Sequence, residues 1–150
     1  MRKPASLRKH LEAYVDWLKK HPDKLVLRVA NGHISTKNGV SLSFEWRYTL
    51  EVLVMDVAHP PEEVVVPILA WLTEHQPDLY ERLQKILNFE AEPVNHDAID
   101  LLFKLDLSEA VIVHKKPGGY RCEHVDEPRA EDFEGDLGWK TLGHAAGTTP

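Results

Sequence analysis

The residues with the greatest potential for chemistry in this chain are its nine histidines, at positions 10, 21, 33, 59, 75, 96, 114, 124 and 144. Zinc sites often begin with two ligands on one face of an element, as in H-x-x-x-H on a helix or H-x-H on a strand. No two histidines lie within four residues of each other, so neither pattern occurs. Cys122 and His124 share a strand face, but a metal would need two further ligands from elsewhere. The sequence therefore predicts no metal site.

Other catalytic patterns are equally weak. Carboxylate pairs such as Glu62 with Glu63, or Asp97 with Asp100, arise often by chance and do not identify an acid/base pair. The chain contains no G-x-S-x-G, P-loop or G-x-G-x-x-G stretch. Cys122 would need a neighbouring base to act as a nucleophile, and an unreactive thiol in a hairpin is the favoured interpretation. We therefore predict a protein that is not an enzyme, with no catalytic residues and no cofactor.

The charge and the apolar content of the chain argue against two classes of binding partner, nucleic acid and membrane. The 150 residues are enough for one domain, or one domain with a tail, and the formal net charge is −6. Basic residues are scattered rather than grouped on a stripe, which argues against sequence-specific binding of nucleic acid. Nothing approaches the ~20 apolar residues of a membrane span, so we expect no membrane contact. The single cysteine and the lack of an apolar leader predict a cytosolic place of synthesis.

The elements that must position any functional residue are organised around residues 40–57. Even positions from Val40 to Val54 are apolar, and odd positions up to Glu51 are polar, which predicts a strand with one buried and one open face. From Val52 both parities are apolar, so we expect the far end to be covered on both faces. At about 3.3 Å per residue the run spans roughly 60 Å. We therefore expect a bend, or an end that projects from the domain.

The polar face of this strand is the candidate functional surface. One interpretation is a solvated sheet face with cross-strand ion pairs of small individual energy. The other is a polar surface between subunits, in which Glu45 and Arg47 bond across protomers and the projecting strand adds to a neighbour's sheet edge. The predicted subunit-interface residues are Ser43, Glu45, Arg47 and Thr49.

The remaining elements are predicted in order along the chain. Residues 4–20 form a helix with Ser6 as its N-cap, and residues 25–30 form a strand. Asn31-Gly32 is either a hairpin turn before a short strand at 33–36, or a bulge in one longer strand that turns at Asn38-Gly39. A second helix follows Pro61, contains Pro67 and ends at 76–78, and a short turn of helix covers 79–85.

The second half is rich in strands. Strands are expected at 87–91 and 99–107, and a terminal hairpin at 111–113 and 120–125. The fold prediction is α+β, with a mostly antiparallel sheet, two main helices packed on one face and a long β-hairpin ribbon. Residues 1–125 form a single domain. Residues 126–150 are an acidic tail with proline and glycine, either poorly ordered or docking on assembly, with Leu137, Trp139 and Leu142 as a short docking segment.

Several specific stretches occupy the first half of the chain. They are Lys3-Pro4-x-Ser6-Leu7-Arg8, Leu18-Lys19-x-x-Pro22-Asp23-x-Leu25, Asn31-Gly32-x-Ile34, Ser41-Leu42-Ser43-Phe44-Glu45-x-Arg47-Tyr48-Thr49-Leu50, and Val66-Pro67-x-Leu69-Ala70-Trp71-Leu72-x-Glu74-x-Gln76-Pro77-Asp78. In this order and spacing they resemble the tail completion protein R family of P2-like contractile-tailed phages. Trp46 departs from the resemblance, since the family more typically has a charged residue there. Beyond Asp78 only the general layout is similar.

The resemblance implies a non-enzymatic virion protein with a tail-terminator-like fold. Such a protein caps the head-proximal end of the tail tube and sheath and provides the surface for head–tail joining, commonly as a ring of six through which DNA can pass. The implied partners are other copies of the chain, the tail tube or sheath protein, and neck or head-completion proteins. Its implied location is the virion tail, with the host cytoplasm during assembly. The alternative is a soluble adaptor or chaperone for a tail component that does not enter the virion.

Overall fold

A five-stranded antiparallel sheet forms the centre of the α+β fold. The computed structural model describes residues 1–36, 41–81 and 87–127. Along the chain the elements are α1 (Lys3–Tyr14), α2 (Asp16–Lys20), a 3₁₀ turn (Pro22–Lys24), β1 (Leu25–Thr36), β2 (Phe44–Val57), α3 (Glu62–His75), α4 (Asp78–Glu81), β3 (Asn88–Pro93), β4 (Ile99–Lys116) and β5 (Gly119–Val125). The predicted fold class is confirmed.

The 18-residue strand β4 carries the sheet. The strand order is β1-β2-β4-β3, and β5 also pairs with β4. One edge of β4 pairs with β2, while the other edge is divided, with β3 opposite residues 99–104 and β5 opposite residues 110–116. Among the described residues, positions 105–109 therefore face no strand on this second edge. Their backbone groups must find other partners.

The structure decides between the two alternatives for Asn31-Gly32 in the hairpin of β1 and β2. β1 runs continuously through Asn31, whose φ of 53° lies in the left-handed region, and the register shifts between Ala30 and His33. Asn31-Gly32 is thus a bulge rather than a hairpin turn. The predicted turn at Asn38-Gly39 lies outside the described residues. β2 begins at Phe44 instead of position 40, since residues 41–43 are not in a strand.

The core lies between one face of the sheet and the two long helices. Tyr48, Leu50, Val52 and Val54 of β2 are buried, as the alternation predicted. They pack with buried side chains of α1, α3 and β4, including Leu7, Leu11, Ile68, Leu72, Leu101, Phe103 and Leu105. Both long helices lie on this one side. Leu53 and Met55 on the opposite face are partly buried but lie outside the core cluster, so the predicted cover of the far end on both faces is only partial.

The first helix differs from its prediction at both ends. It begins at Lys3, so Ser6 lies inside it and is not the N-cap, and its hydroxyl instead accepts a hydrogen bond from the indole N–H of Trp71. Val15 then adopts an extended conformation, with φ −121° and ψ 98°, which separates α1 from α2. Val15 and Leu18 remain buried, so the break redirects the chain without exposing its apolar stripe.

The predicted strands at 99–107 and 111–113 are one strand. Polar residues at 108 and 109 suggested an interruption, but both are held in the sheet by partners from distant segments. The terminal hairpin is confirmed, with Gly118 at φ 79° in its turn. Only the first two residues of the predicted tail, Asp126 and Glu127, are described.

Candidate functional site

The sheet continues beyond the helices as a narrow extension, which we call the ribbon. It consists of residues 33–36 of β1, 44–47 of β2, 108–116 of β4, and β5. The core cluster reaches Tyr48 and Leu107, at the foot of the ribbon, and Trp46 packs partly against it. The projecting strand end predicted from the sequence is therefore present, and it is shared by four strands.

The candidate interface residues lie mainly on the side of β2 that faces away from the helices. Glu45, Arg47 and Thr49 all point to this face, because they lie two residues apart along β2. Ser43 precedes the strand, and its hydroxyl accepts a hydrogen bond from the backbone N–H of Val113 at 3.0 Å. The structure thus brings three of the four residues together on one open face, while Ser43 fixes the start of β2 to β4.

Within a single protomer these side chains already have partners. Arg47 Nε lies 2.6 Å from Glu45 Oε1, and the hydroxyl of Thr49 donates to Asp106 Oδ1 at 3.0 Å. The side chain of Arg47 is 53% exposed, so solvent screens the ion pair and its net energy is small. A contact across protomers would have to exchange or extend these pairs. Their role as a subunit interface stays a prediction.

A second group of polar residues, which the sequence did not single out, is buried at the foot of the ribbon. Lys3, Gln76 and Glu109 are 8%, 3% and 6% exposed, and Tyr48 is similarly buried. They come from α1, the C-terminal end of α3, β4 and β2. Buried polar groups of this kind require hydrogen-bond partners, and each of these has them. We call this group the buried polar network.

Glu109 binds the beginning of α1. Its carboxylate accepts hydrogen bonds from the backbone N–H groups of Arg2, at 2.6 Å, and Lys3, at 3.3 Å, and from the hydroxyl of Tyr48. The first N–H groups of a helix have no partner within it and carry partial positive charge. A carboxylate at this position satisfies them, and Pro4 has no N–H that needs a partner. Glu109 therefore fixes α1 to the sheet.

Lys3 and Gln76 take the place of a strand on the second edge of β4. The backbone N–H of Ser108 donates to Gln76 Oε1 at 3.1 Å, and its carbonyl accepts from Lys3 Nζ at 2.7 Å. Lys3 Nζ also donates to Gln76 Oε1 at 2.6 Å and to Glu127 Oε1 at 3.2 Å. These bonds satisfy Ser108 in the interval between β3 and β5, which is why β4 can continue through it.

Burial and hydrogen bonds shift the pKa values of three groups in the network. Burial lowers the pKa of Lys3, although the nearby carboxylates of Glu127 and Glu109 oppose the shift. Burial by itself would raise the pKa of Glu109, but the hydrogen bonds from Tyr48 and from the backbone of Arg2 and Lys3 outweigh it and leave the pKa below its ordinary value. Burial and the adjacent Glu109 raise the pKa of Tyr48. The hydrogen bonds to Glu109 therefore stabilise its ionised form against the cost of burial.

A cleft of about 330 Å³ opens beside the network, between the end of α3 and the end of β5. Its lining carries both signs of charge, including Arg2, Lys3, Glu74, Asp126 and Glu127. Arg2 pairs with Asp126 at 2.9 Å, so part of this charge is neutralised within the lining. The cleft therefore lies where the first residues of the chain contact residues 126 and 127.

One sequence signal could have revealed the network. From Ile99 to Leu107 the odd positions of β4 are apolar and point into the core, and the next odd positions are Glu109 and Val111. A carboxylate at the next position on the buried side of a strand requires hydrogen-bond partners. Lys3, Tyr48 and Gln76 also belong to the stretches that carry the resemblance, so segments far apart in sequence meet at this carboxylate.

The described residues also bear on metal and membrane sites. Across residues 1–36, 41–81 and 87–127, no three histidine, cysteine or acidic side chains are grouped so as to hold a metal ion. Cys122 and His124 are both exposed on β5, on one face of the strand. Among the helices that the structure describes, none is long and apolar enough to cross a membrane.

Comparison with known proteins gives two matches. The family described as P2 phage tail completion protein R (GpR) matches residues 1–128. Tail completion protein R of Escherichia phage P2 is 40% identical over 131 residues, which cover 85% of this chain and 84% of that protein. No solved structure matches the chain.

Proposed function

The chain belongs to the P2 phage tail completion protein R family, and from this membership we propose that it completes the tail by capping its head-proximal end. A role in completing the phage tail follows from the family itself. The finer role is that of a ring, of six copies, on the last ring of the tail tube or sheath. Its exposed side provides the surface on which neck and head-completion proteins join the head to the tail.

The match over residues 1–128 is the observation that carries this proposal, because it includes the helices, the sheet and the ribbon. The shape of the protomer adds support. A closed ring uses heterologous contacts, so each protomer needs two different surfaces for its two neighbours. The ribbon offers one surface. The exposed edge of the sheet at β3 offers backbone groups to which a neighbour's strand can add.

The proposed mechanism is one of blocked addition. Each subunit docks on the terminal ring of the tube or sheath and covers the surface on which another ring would stack. The opposite side of the capping ring presents a different surface, which binds the neck. The tail stops growing because the stacking surface of its last ring is covered. The head can then join because the capping ring presents a different surface to the neck. DNA can pass through the centre of such a ring.

Electron microscopy of contractile tails from a lysate that lacks this protein tests the proposal. Labelled purified protein is added back, and we expect label at one tail end only, together with recovery of head joining. Properly folded protein that leaves the tails unlabelled would contradict the capping role. If joining recovers while purified particles lack the protein, the soluble adaptor becomes the better explanation.

Reversal of charge at Arg47 tests the ribbon as a ring contact. Arg47→Glu removes the pair with Glu45 and places two like charges on the open face, so we expect ring formation on tails and head joining to fall at least about tenfold. The folded protomer should remain stable within about 0.5 kcal/mol, because the pair is exposed. Label counts on tail ends and urea unfolding measure the two effects.

The matched control is Arg28→Glu. Arg28 pairs with Glu51 at 2.8 Å on the same open face, but it lies on β1 outside the ribbon. We expect this variant to cap tails normally. Normal folding and normal ring formation by Arg47→Glu would refute the assignment of Arg47 to the contact.

A further inference from the structure

β5 is an edge strand, and no other described strand pairs with its outer side. It pairs with β4 alone, in a regular register, and its residues from Tyr120 to Val125 are all exposed. It also contains no proline. Edge strands of this kind present backbone N–H and C=O groups to which another strand can add. The outer side of β5 is therefore a candidate surface for strand addition.

The register identifies which backbone groups face this outer side. The N–H and C=O of Ser108 point to the second edge of β4, where side chains from the start of α1 and the end of α3 bind them. Because this direction alternates along a strand, even-numbered residues of β4 face β5 and odd-numbered residues face β2. Cys122 lies opposite Val113, so its N–H and C=O point away from β4, as do those of Tyr120 and His124.

We propose that this edge binds the β5 strand of a second copy of the chain, antiparallel and centred on Cys122, so that two protomers share one continuous sheet. In this register Arg121 of each protomer lies opposite Glu123 of the other. A two-fold contact closes on itself, so it gives a dimer and does not extend into a ring. The inference therefore concerns the free protein and does not depend on the capping role.

The charges of β5 select this register. Sliding one strand by two residues is the smallest shift that keeps each face of the sheet on its own side. It would move the centre to Arg121 or to Glu123, and would place two like charges directly opposite each other, which is unfavourable. Within one protomer Oε1 of Glu123 lies 2.8 Å from Nε2 of His114, and Oε2 is the atom that Arg121 of the second copy binds. The register centred on Cys122 also pairs all seven residues of β5.

The other side chains of β5 fit the same pairing. Tyr120, which is 59% exposed, lies opposite His124 of the second copy and forms a cross-strand pair with it. The turn of each ribbon brings the exposed Lys116 towards Asp126 of the second copy. The side chain of Asp126 is 89% exposed, although it also pairs with Arg2 of its own protomer. Opposite charges therefore meet at both ends of the strand pair.

The other two outer strands of the sheet do not show this self-complementarity. β3 carries Glu90 and Glu92, so pairing with its own copy would place carboxylates opposite each other, and Pro93 at its end lacks an N–H donor. β1 is interrupted by the bulge at Asn31-Gly32, a common protection of edge strands. Charge complementarity thus assigns the second copy to β5.

Sedimentation of the reduced full-length protein tests the dimer, and we expect a monomer–dimer equilibrium between about 1 and 500 µM. Arg121→Glu places a carboxylate opposite Glu123 at both sites, so the dissociation constant should rise at least about tenfold. The swapped variant Arg121→Glu/Glu123→Arg restores opposite charges and should dimerise within about threefold of the wild type. Arg28→Glu, on β1, is the matched charge reversal outside β5 and should leave the dissociation constant unchanged.

Oxidation of the single cysteine tests the register. The Cα atoms of the two Cys122 residues should lie about 5.5 Å apart, a separation that a disulfide can bridge. Diamide takes up the two electrons and two protons that the thiol pair loses, and it should link the wild type and the swapped variant at similar rates. At a protein concentration equal to the wild-type dissociation constant, Arg121→Glu should link about threefold more slowly, because fewer molecules are paired.

Three outcomes would overturn the proposal. The first is a protein that stays monomeric across the whole concentration range. The second is a dimer that Arg121→Glu leaves unchanged, or that the swapped variant fails to restore while circular dichroism shows it to be folded. The third is a dimer that diamide does not link through Cys122, which would place the contact on another surface.

Discussion

Replacing Glu109 by glutamine is expected to destabilise the fold by about 3 kcal/mol, because a buried group that holds three donors is made neutral and partly reversed in polarity. The carboxylate accepts from Arg2, Lys3 and Tyr48. A glutamine side chain can present its oxygen to some of these donors, but its NH₂ group then faces the others. Urea unfolding at pH 7 measures the loss as a lower midpoint with an unchanged slope.

The same substitution should remove a specific part of the pH dependence. The pKa of Glu109 in the folded protein lies below its ordinary value of 4.5, because hydrogen bonds from Tyr48, Arg2 and Lys3 outweigh the effect of burial. Its contribution to stability is therefore fully present above the unfolded pKa and is lost as pH falls through the folded pKa. Wild type and Glu109→Gln should converge in stability as the pH falls below about 4.5.

An exposed carboxylate provides the control for Glu109. Glu92 lies on β3, where every residue is exposed, and Glu92→Gln should change the free energy of unfolding by less than about 0.5 kcal/mol. A Glu109→Gln protein as stable as Glu92→Gln at pH 7 would mean that the carboxylate does not fix α1 to the sheet.

The sequence predicted the faces of the strands well, because alternation is a local property. The burial of Tyr48, Leu50, Val52 and Val54 could be predicted from the period of two along β2. The pairing of Glu45 with Arg47 also has a local basis, since residues two apart on a strand share a face. The family was recognisable from short stretches in the first half.

What the sequence could not provide depends on partners far away in the chain. β4 continues through Ser108 and Glu109 because Gln76, 32 residues earlier, and Lys3, more than a hundred residues earlier, satisfy polar groups that would otherwise end the strand. The placement of both long helices on one face was predicted, but Leu53 and Met55 on the other face are only partly buried where the local pattern predicted full cover. Local rules cannot specify these contacts.

The buried polar network links these long-range contacts to the proposed assembly. It fixes the start of α1, the end of α3 and the end of β5 at the foot of the ribbon. Such a joint determines the direction in which the ribbon leaves the domain, and a ring closes only if every protomer presents that direction alike. A protein with a weakened network should thus lose capping at temperatures where its core is still folded.

Trp71→Ala is expected to lower the free energy of unfolding by about 4 kcal/mol, which is more than the loss expected for Glu109→Gln. Trp71 is 1% exposed and is among the largest fully buried side chains of the described residues. Its ring stacks on His75 with a centroid distance of 4.6 Å, and its Nε1 donates to Ser6 Oγ at 3.0 Å, so it joins α3 to α1. Truncation leaves a cavity between the helices as well as an unpaired hydroxyl.

Two further variants divide this loss into packing and hydrogen bonding. Ser6→Ala removes only the acceptor and should cost about 1 kcal/mol, whereas Trp71→Phe keeps most of the ring volume and should lie between the two. Thermal and urea unfolding of all three proteins give the order. A loss for Trp71→Ala no greater than that for Ser6→Ala would show that the packing of α1 on α3 does not depend on this ring. The larger loss for Trp71→Ala would place the main attachment of α1 in the apolar contact, with the bond to Ser6 setting its register.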